Sequence, residues 1–529
     1  MTEYRVYGPP GTGKTFNLCN KIIPEVSREY GADKIMVTSF TRTAALNIAR
    51  RAGLDTSDPK CGTLHSICYA AQKRPKLVDT VLKEWNSQNP KFNIKTSSDI
   101  KTIPTNGSKT FYDYFHYLRN KKISIESWPT DLKKFNKKWT EFKFKTGTID
   151  FTDMIEIALH EFPSPPFGTS VIIVDEAQDL TPLQISLIRS WGITIPKVFL
   201  CLDDDQSIYS FNGVDIEEIL LPDVSSEQKI FLGQSYRVPQ KPHKIANKIV
   251  RRIKTREEKQ YLPTEKIGSV HRGSACIDQP KLVMKEVENT SGSVMIMASC
   301  GYMLQNITQY MRDEGIPFYN PYKENRKWNP LDTQITEGLY AFLSTGEDAE
   351  FWDTRQFLTW TEHIKTSSKD APGIIKKQGT QLIKRLKEEL SKSTPGLHTC
   401  REYIGQILHP DAIPLALNRD LDWLKSVLKT KQKNSILYPL KVYQRNWRKE
   451  DLIEDPRIII GTIHSFKGTE ADNVFIFPDI SYSAHRERMS AEGEDNINRL
   501  MYVGVTRTKD KLFLMQPSTD KYYKFPRIE

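Results

Sequence analysis

Gly8-Pro9-Pro10-Gly11-Thr12-Gly13-Lys14-Thr15 follows a strand-like run over Tyr4–Tyr7 and precedes a segment of helical character that opens at Lys14. The run fits GxxxxGK[ST] in the strand-to-helix setting its chemistry requires. The glycines let backbone N–H groups close around phosphate oxygens, Lys14 reaches the β and γ oxygens, and the Thr15 hydroxyl holds Mg²⁺. Gly8, Pro9, Pro10, Gly11, Thr12, Gly13, Lys14 and Thr15 are therefore the candidate phosphate-binding residues. A second apolar run, Val171-Ile172-Ile173-Val174, ends in Asp175-Glu176. That is how a neighbouring strand presents acids to a bound nucleotide: Asp175 supports Mg²⁺ and Glu176 orients and deprotonates the attacking water.

Strand-like runs recur at Arg5–Gly8, Ile35–Ser39, Val171–Asp175, Val198–Leu202, Val294–Ala298, Ile458–Thr462, Val474–Pro478 and Lys511–Met515, mostly with helix-like stretches between them. The alternation predicts an α/β chain with buried parallel sheets. Two lysine-rich, helix-like regions, about 66–145 and about 331–450, break it and read as insertions. The expected organisation is a first lobe over 1–65 and 146–232 with an insertion at 66–145, and a second lobe over 233–330 and 451–529 with an insertion at 331–450. The stretch Phe162-Pro163-Ser164-Pro165-Pro166-Phe167-Gly168 reads as a loop feeding the strand at Val171.

At 529 residues the chain is too long for one core. Its apolar fraction of 38% and charged fraction of 27% suit globular lobes, and no apolar run reaches membrane-spanning length. The start of the chain lacks the pattern of a secretory signal, so a cytoplasmic protein with no membrane partner is expected. Seven scattered cysteines without CxxC spacing read as reduced thiols rather than zinc ligands. Lys and Arg outnumber Asp and Glu by 76 to 65, a net +11 that favours a polyanionic partner.

The run continues as Glu176-Ala177-Gln178-Asp179, and here the chain resembles the UvrD/Rep-like helicases of superfamily 1. Further segments match that family in order. Thr38–Ala45 resembles motif Ia, Gly62–Ser66 motif Ib, Asp203–Phe211 motif III, Gln234–Arg237 motif IV, Gly461–Glu470 motif V and Tyr502–Arg507 motif VI. The resemblance implies two RecA-like P-loop lobes, each with a mainly helical insertion, and ATP with Mg²⁺ as cofactors. It implies an ATP-dependent DNA helicase and single-stranded DNA translocase moving 3′-to-5′. By the same resemblance Arg237 and Arg507 are arginine fingers, Gln206 senses the γ-phosphate, Tyr236 stacks on the base, and Glu470, two residues after Gly468, bonds the ribose. Phe40, Tyr209 and Phe211 would stack on DNA bases, with His65 and His464 as further DNA contacts. For Phe40 and Phe211, core packing is the other reading. The implied partners are single-stranded DNA and its junctions with duplex, and possible replication, repair or nuclease proteins, with the chain a monomer or weak oligomer. An ATPase subunit that senses nucleic acid, or serves a separate nuclease without unwinding, is the alternative.

The chain departs from the family's pattern in four places. Only seven residues precede Gly8, so the glutamine-bearing segment that reads adenine is expected to be missing. Phe16 stands where the family has arginine, so base selectivity is expected to be relaxed. Motif III ends in Phe211-Asn212 rather than Trp-Arg. Pro372-Gly373-Ile374-Ile375 with Gln381–Leu390 is either an echo of the family's duplex-gripping hairpin or a plain helix start. Over Asp131–Lys145, Leu132, Phe135, Trp139 and Phe142 recur at 3–4 spacing, which predicts an amphipathic helix with Lys133, Lys134, Lys137 and Lys138 on its solvated face.

Overall fold

A computed structural model describes residues 2–94, 110–323, 325–346, 350–366, 373–392 and 399–527. Pro372, part of the hairpin echo, lies outside them. The chain is α/β with two sheets. It parts into one compact unit of Met1–Arg272 with Phe466–Glu529 and a second of Gly273–Ser465. Residues 233–272 and 466–529, expected in a second lobe, thus share a unit with the phosphate loop.

The first unit is organised by six parallel strands: β1 (Thr2–Tyr7), β2 (Ile35–Thr38), β3 (Cys61–Gly62), β4 (Val171–Val174), β5 (Lys197–Leu202) and β6 (Lys229–Phe231), in the order β3-β2-β4-β5-β1-β6. Successive side chains leave a strand on opposite faces, so a strand covered on both sides must be apolar throughout. Val6, Val37, Ile173 and Cys201 pack into one core. Their neighbours Tyr7, Met36, Ile172 and Leu200 pack into another. Helices Ile23–Tyr30 and Arg42–Arg51 cover the first face, and helices Leu64–Ala71, Phe151–Glu161 and Pro182–Gly192 the second. All strands point the same way, so the segments leaving β1, β2, β4 and β5 emerge along one edge of the sheet.

The first insertion contains helices Leu82–Gln88, Phe111–Asn120 and Thr130–Thr146 around an aromatic core of Trp85, Phe115, Phe135, Trp139 and Phe142. The expected stripe is the buried one, and the helix ends at Gly147 in the left-handed conformation. One lysine of that helix turns inward. Lys143 donates to Asp150 at 2.7 Å and to Asp153 at 2.5 Å, beside Arg119, which bonds both carboxylates and Glu156.

Strand β7 (Ser269–Cys276) crosses the boundary between the units. In the second unit β8 (Val294–Ala298) pairs in parallel with β9 (Ile458–Thr462), and the insertion core is built on Trp352, Phe357 and Trp360. Gly373–Ile375 make no regular element, and the helix beyond them is Lys377–Lys392. Back in the first unit, β10 (Ala471–Ile476) and β11 (Thr508–Gln516) pair in parallel. The seven cysteines are free, six buried and Cys276 half-buried. Among the described residues no helix is long and apolar enough to cross a membrane.

Candidate active site

The phosphate loop begins where β1 ends, with the Gly8 amide donating to Leu202 O at 3.1 Å. Gly11 and Gly13 have φ of 76° and 77°, the left-handed region that glycine enters without cost. At Gly11 a Cβ would also stand 2.6 Å from the Arg237 Cβ. Thr12 Oγ1 donates to Pro9 O at 2.8 Å, and Lys14 Nζ reaches back to Gly8 O at 2.6 Å, with Thr15 next along the helix.

Segment Gln234–Arg237 is bonded onto this loop. The Tyr236 amide donates to Gly11 O at 2.8 Å, while Ser235 Oγ and Tyr261 Oη both donate to Pro10 O, at 3.0 and 3.1 Å. Arg237 is thereby set beside the loop, where it pairs with Glu470. Phe16 is 66% exposed and Tyr236 78%, two open rings on segments bordering the loop. Gly468, two residues before Glu470, turns the chain at φ 91°.

At the end of β4, Asp175 is buried with Oδ1 lacking any hydrogen-bond partner. Burial, and then the neighbouring Glu176 charge, push its carboxyl up to about 7. An orphaned buried carboxylate oxygen suits a divalent cation, and Thr15 offers the second oxygen the sequence assigns to that role. Glu176 has φ 54° and ψ 42°, a conformation that strains any side chain other than glycine's. Burial alone would raise its pKa. Lys14, Lys467, the hydrogen bond from Gln178 and Arg507 together hold it below the usual carboxylate range.

A line of hydrogen bonds leaves Glu176. Gln178 Nε2 donates to Glu176 Oε2, and Gln178 Oε1 accepts from the Asp203 amide at 3.1 Å. Asp203 Oδ2 accepts from Gln206 Nε2 at 2.7 Å, and Gln206 Oε1 accepts from Arg507 Nη2 at 2.8 Å. Burial, then the nearby Arg237 charge, lower the Arg507 guanidinium to about 10. The line joins the expected water-activating carboxylate, the expected phosphate sensor and one expected finger.

Asp203, Asp204 and Asp205 bring carboxylate oxygens within 4.8 Å of one another. Protein cations already hold all three, with Asp203 3.6 Å from Lys259 Nζ. Lys259 Nζ lies 2.6 Å from Asp204 and 2.7 Å from Asp205, and Arg256 makes two 2.8 Å bonds to Asp205. This cluster stiffens the turn that carries Gln206.

On the same sheet edge the Phe40 and Tyr209 rings are stacked, centroids 4.9 Å apart and planes 14° apart, with Phe40 44% exposed. Phe211 meets Tyr209 edge-on at 5.9 Å. His65 contacts Phe151 edge-on, and burial lowers its imidazole to about 4, leaving it neutral. His464 lies on the turn Ile463–Phe466.

Sequence reading assigned no role to Gln178 or Lys467, although both lie inside the matched motifs. Lys467 Nζ lies 2.6 Å from both Asp179 oxygens, 2.9 Å from Gln206 O, 4.0 Å from Glu176 and 5.1 Å from the centre of the Tyr209 ring. Only position within a motif could have signalled them, because Asp203, which Gln178 also bonds, and the partners of Lys467 are far off in sequence.

Residues 2–225 match the UvrD/REP helicase N-terminal domain, and residues 458–515 the UvrD-like helicase C-terminal domain. The chain is similar to ATP-dependent DNA helicase Rep of Buchnera aphidicola subsp. Acyrthosiphon pisum, 22% identical over 590 residues that cover 95% of this chain and 90% of that protein. DNA helicase II of Escherichia coli K12 is 21% identical over 611 residues, covering 97% of this chain and 82% of its own length. ATP-dependent DNA helicase PcrA of Bacillus subtilis is 25% identical over 289 residues, 47% of this chain and 37% of that one.

Proposed function

Because the chain belongs to the UvrD/Rep-like helicases, we propose that it is an ATP-dependent motor that moves 3′-to-5′ along single-stranded DNA and unwinds duplex ahead of it. The observation that carries this reading is the unbroken line Glu176–Gln178–Asp203–Gln206–Arg507 beside the phosphate loop. It unites the groups that phosphoryl transfer needs, positioned acids and a cation for the charge that develops.

In this reading ATP lies on the phosphate loop with its base against Phe16 and Tyr236. Thr15 and Asp175 would hold Mg²⁺, which neutralises phosphate charge. Glu176 orients the attacking water and takes its proton. Gln206 registers the γ-phosphate, Arg507 and Arg237 stabilise the transition state, and Glu470 turns from Arg237 to the ribose. The strand stacks on Phe40, Tyr209 and Phe211, with His65 and His464 as further contacts; the stacked pair of exposed Phe40 and half-buried Tyr209 supports this. The lobes remain those of 1–65 with 146–232 and 233–330 with 451–529, the insertions 66–145 and 331–450. The setting is nucleic acid in the host cell, alone or with replication, repair or nuclease proteins.

Steady-state ATPase with and without single-stranded DNA, beside unwinding of duplexes with 3′ or 5′ tails, tests the reading. DNA stimulation with unwinding from the 3′ tail is expected. Stimulation without unwinding would favour the ATPase-subunit alternative, and no stimulation would overturn both.

A further inference from the structure

We propose that Lys467 is a positioning residue that ties occupancy of the DNA platform to ATP hydrolysis, because its ammonium is shared between the Tyr209 ring and the carboxylates of the hydrolytic site. The inference rests on the reading of Phe40 and Tyr209 as a base platform.

An ammonium has three protons to donate. Here they face the two Asp179 oxygens at 2.6 Å and Gln206 O at 2.9 Å. Glu176, at 4.0 Å, feels the cation as charge rather than through a hydrogen bond. The Tyr209 ring, 5.1 Å away, attracts the same cation through its π-face. The lysine side chain is nearly buried, so solvent screens these interactions weakly. The chain beyond it is tied by Thr469, whose amide and hydroxyl both donate to Phe466 O. Lys467 therefore answers to its partners rather than to a mobile backbone.

The platform cannot take a base between these two rings as it stands. Phe40 and Tyr209 are stacked directly on each other at 4.9 Å, and a base between them needs a ring separation of about 7 Å. Opening the pair shifts the Tyr209 ring relative to the ammonium. As the cation–π attraction weakens, the ammonium keeps its contact with Asp179 and shifts relative to Glu176. Gln206, whose carbonyl it also holds, is the residue bonded to Arg507. A change of one or two ångströms in a cation–carboxylate distance near 4 Å alters a rate by about tenfold. One side chain thus reports a base to the carboxylate that activates water and to the turn that faces the finger.

A double-mutant cycle tests this. kcat for ATP is measured without DNA and with saturating oligo(dT) in wild type, Tyr209→Leu, Tyr209→Phe, Lys467→Gln and the Tyr209→Leu/Lys467→Gln double variant, with oligonucleotide affinity measured in parallel by anisotropy. Tyr209→Leu is expected to cut the DNA-stimulated to basal kcat ratio about tenfold, and Tyr209→Phe, which keeps the π-face, to restore it. With Lys467→Gln already present, Tyr209→Leu should lower the ratio no further. Should Lys467→Gln leave Asp179 too costly to bury, the cycle is run with Asp179→Asn in all members. An undiminished ratio in Tyr209→Leu at saturation, or two independent effects that multiply, would overturn the proposal. A wild type that DNA does not stimulate would instead overturn the platform reading beneath it.

Discussion

Glu176 is held in a left-handed backbone conformation and kept ionised while half-buried, two costs borne at one position. Such costs persist where the surroundings enforce them, and here Gln178, Lys14 and Lys467 do so. Replacing Glu176 by Gln keeps the shape and removes the carboxylate proposed as the base. We expect nucleotide affinity within a few-fold of wild type and a kcat about 10²–10⁴ lower. Lys14→Ala should lose both, since the ammonium serves the ground state as well. Fluorescent-nucleotide titration beside steady-state turnover separates the two, and wild-type turnover in Glu176→Gln would sink the assignment. Glu176, Gln206 and Arg507 could be singled out in the sequence because each lies in a short motif, and the hydrogen-bond line joins them. Its middle could not: the Gln178 to Asp203 bond joins residues 25 apart, and no local pattern announces a buried glutamine as a bridge.

At the scale of elements, the eight strands expected from apolar runs all form, with ends moved by a few residues. The three missed strands have physical reasons. β3 is two residues long, β6 is three residues with none buried, and β7 is largely polar. None makes the run that a strand covered on both faces requires. The joint between the first insertion and the sheet was equally hidden, because it is ionic. Arg119 and Lys143, from two helices, meet Asp150 and Asp153 at the start of a third. Asp150 is held well below the usual carboxylate range: burial would raise it, but Arg119, His116 and Lys143 outweigh burial. Its stabilising contribution is therefore complete above about pH 4 and is lost only at stronger acid. His116 behaves differently. Its Nδ1 meets Thr152 Oγ1 at 2.5 Å, its Nε2 is buried without a partner, and burial lowers the imidazole from 6.5 to about 4. A lowered histidine contributes stability that is complete above the unfolded value near 6.5 and lost as pH falls toward 4. Apparent Tm should therefore drop between pH 7.5 and 5, with His116 responsible for on the order of 1–2 kcal/mol, and His116→Gln should flatten the profile. An unchanged profile in that variant would show that the imidazole is not held neutral.

For the whole molecule, the net charge of +11 becomes a statement about affinity. Each phosphate neutralised on a single strand releases counterions, so log Kd should rise with log salt by roughly 0.7 per contact, or about 2–4 for a short binding site. Anisotropy titrations between low and physiological salt measure this, and a salt-independent affinity would leave stacking as the main source of binding. The grouping of segments into compact units is not a property that composition displays. Compactness follows from contacts such as Ser235 to Pro10, 225 residues apart, which attach the motif IV segment to the phosphate loop. The cysteines have a practical consequence of the same global kind. Six are enclosed in the cores and only Cys276, at the end of β7, is partly open to solvent. A maleimide dye offered to the native protein should attach at one position with a stoichiometry near one, so the natural chain can be labelled for single-molecule work without first engineering a site into it.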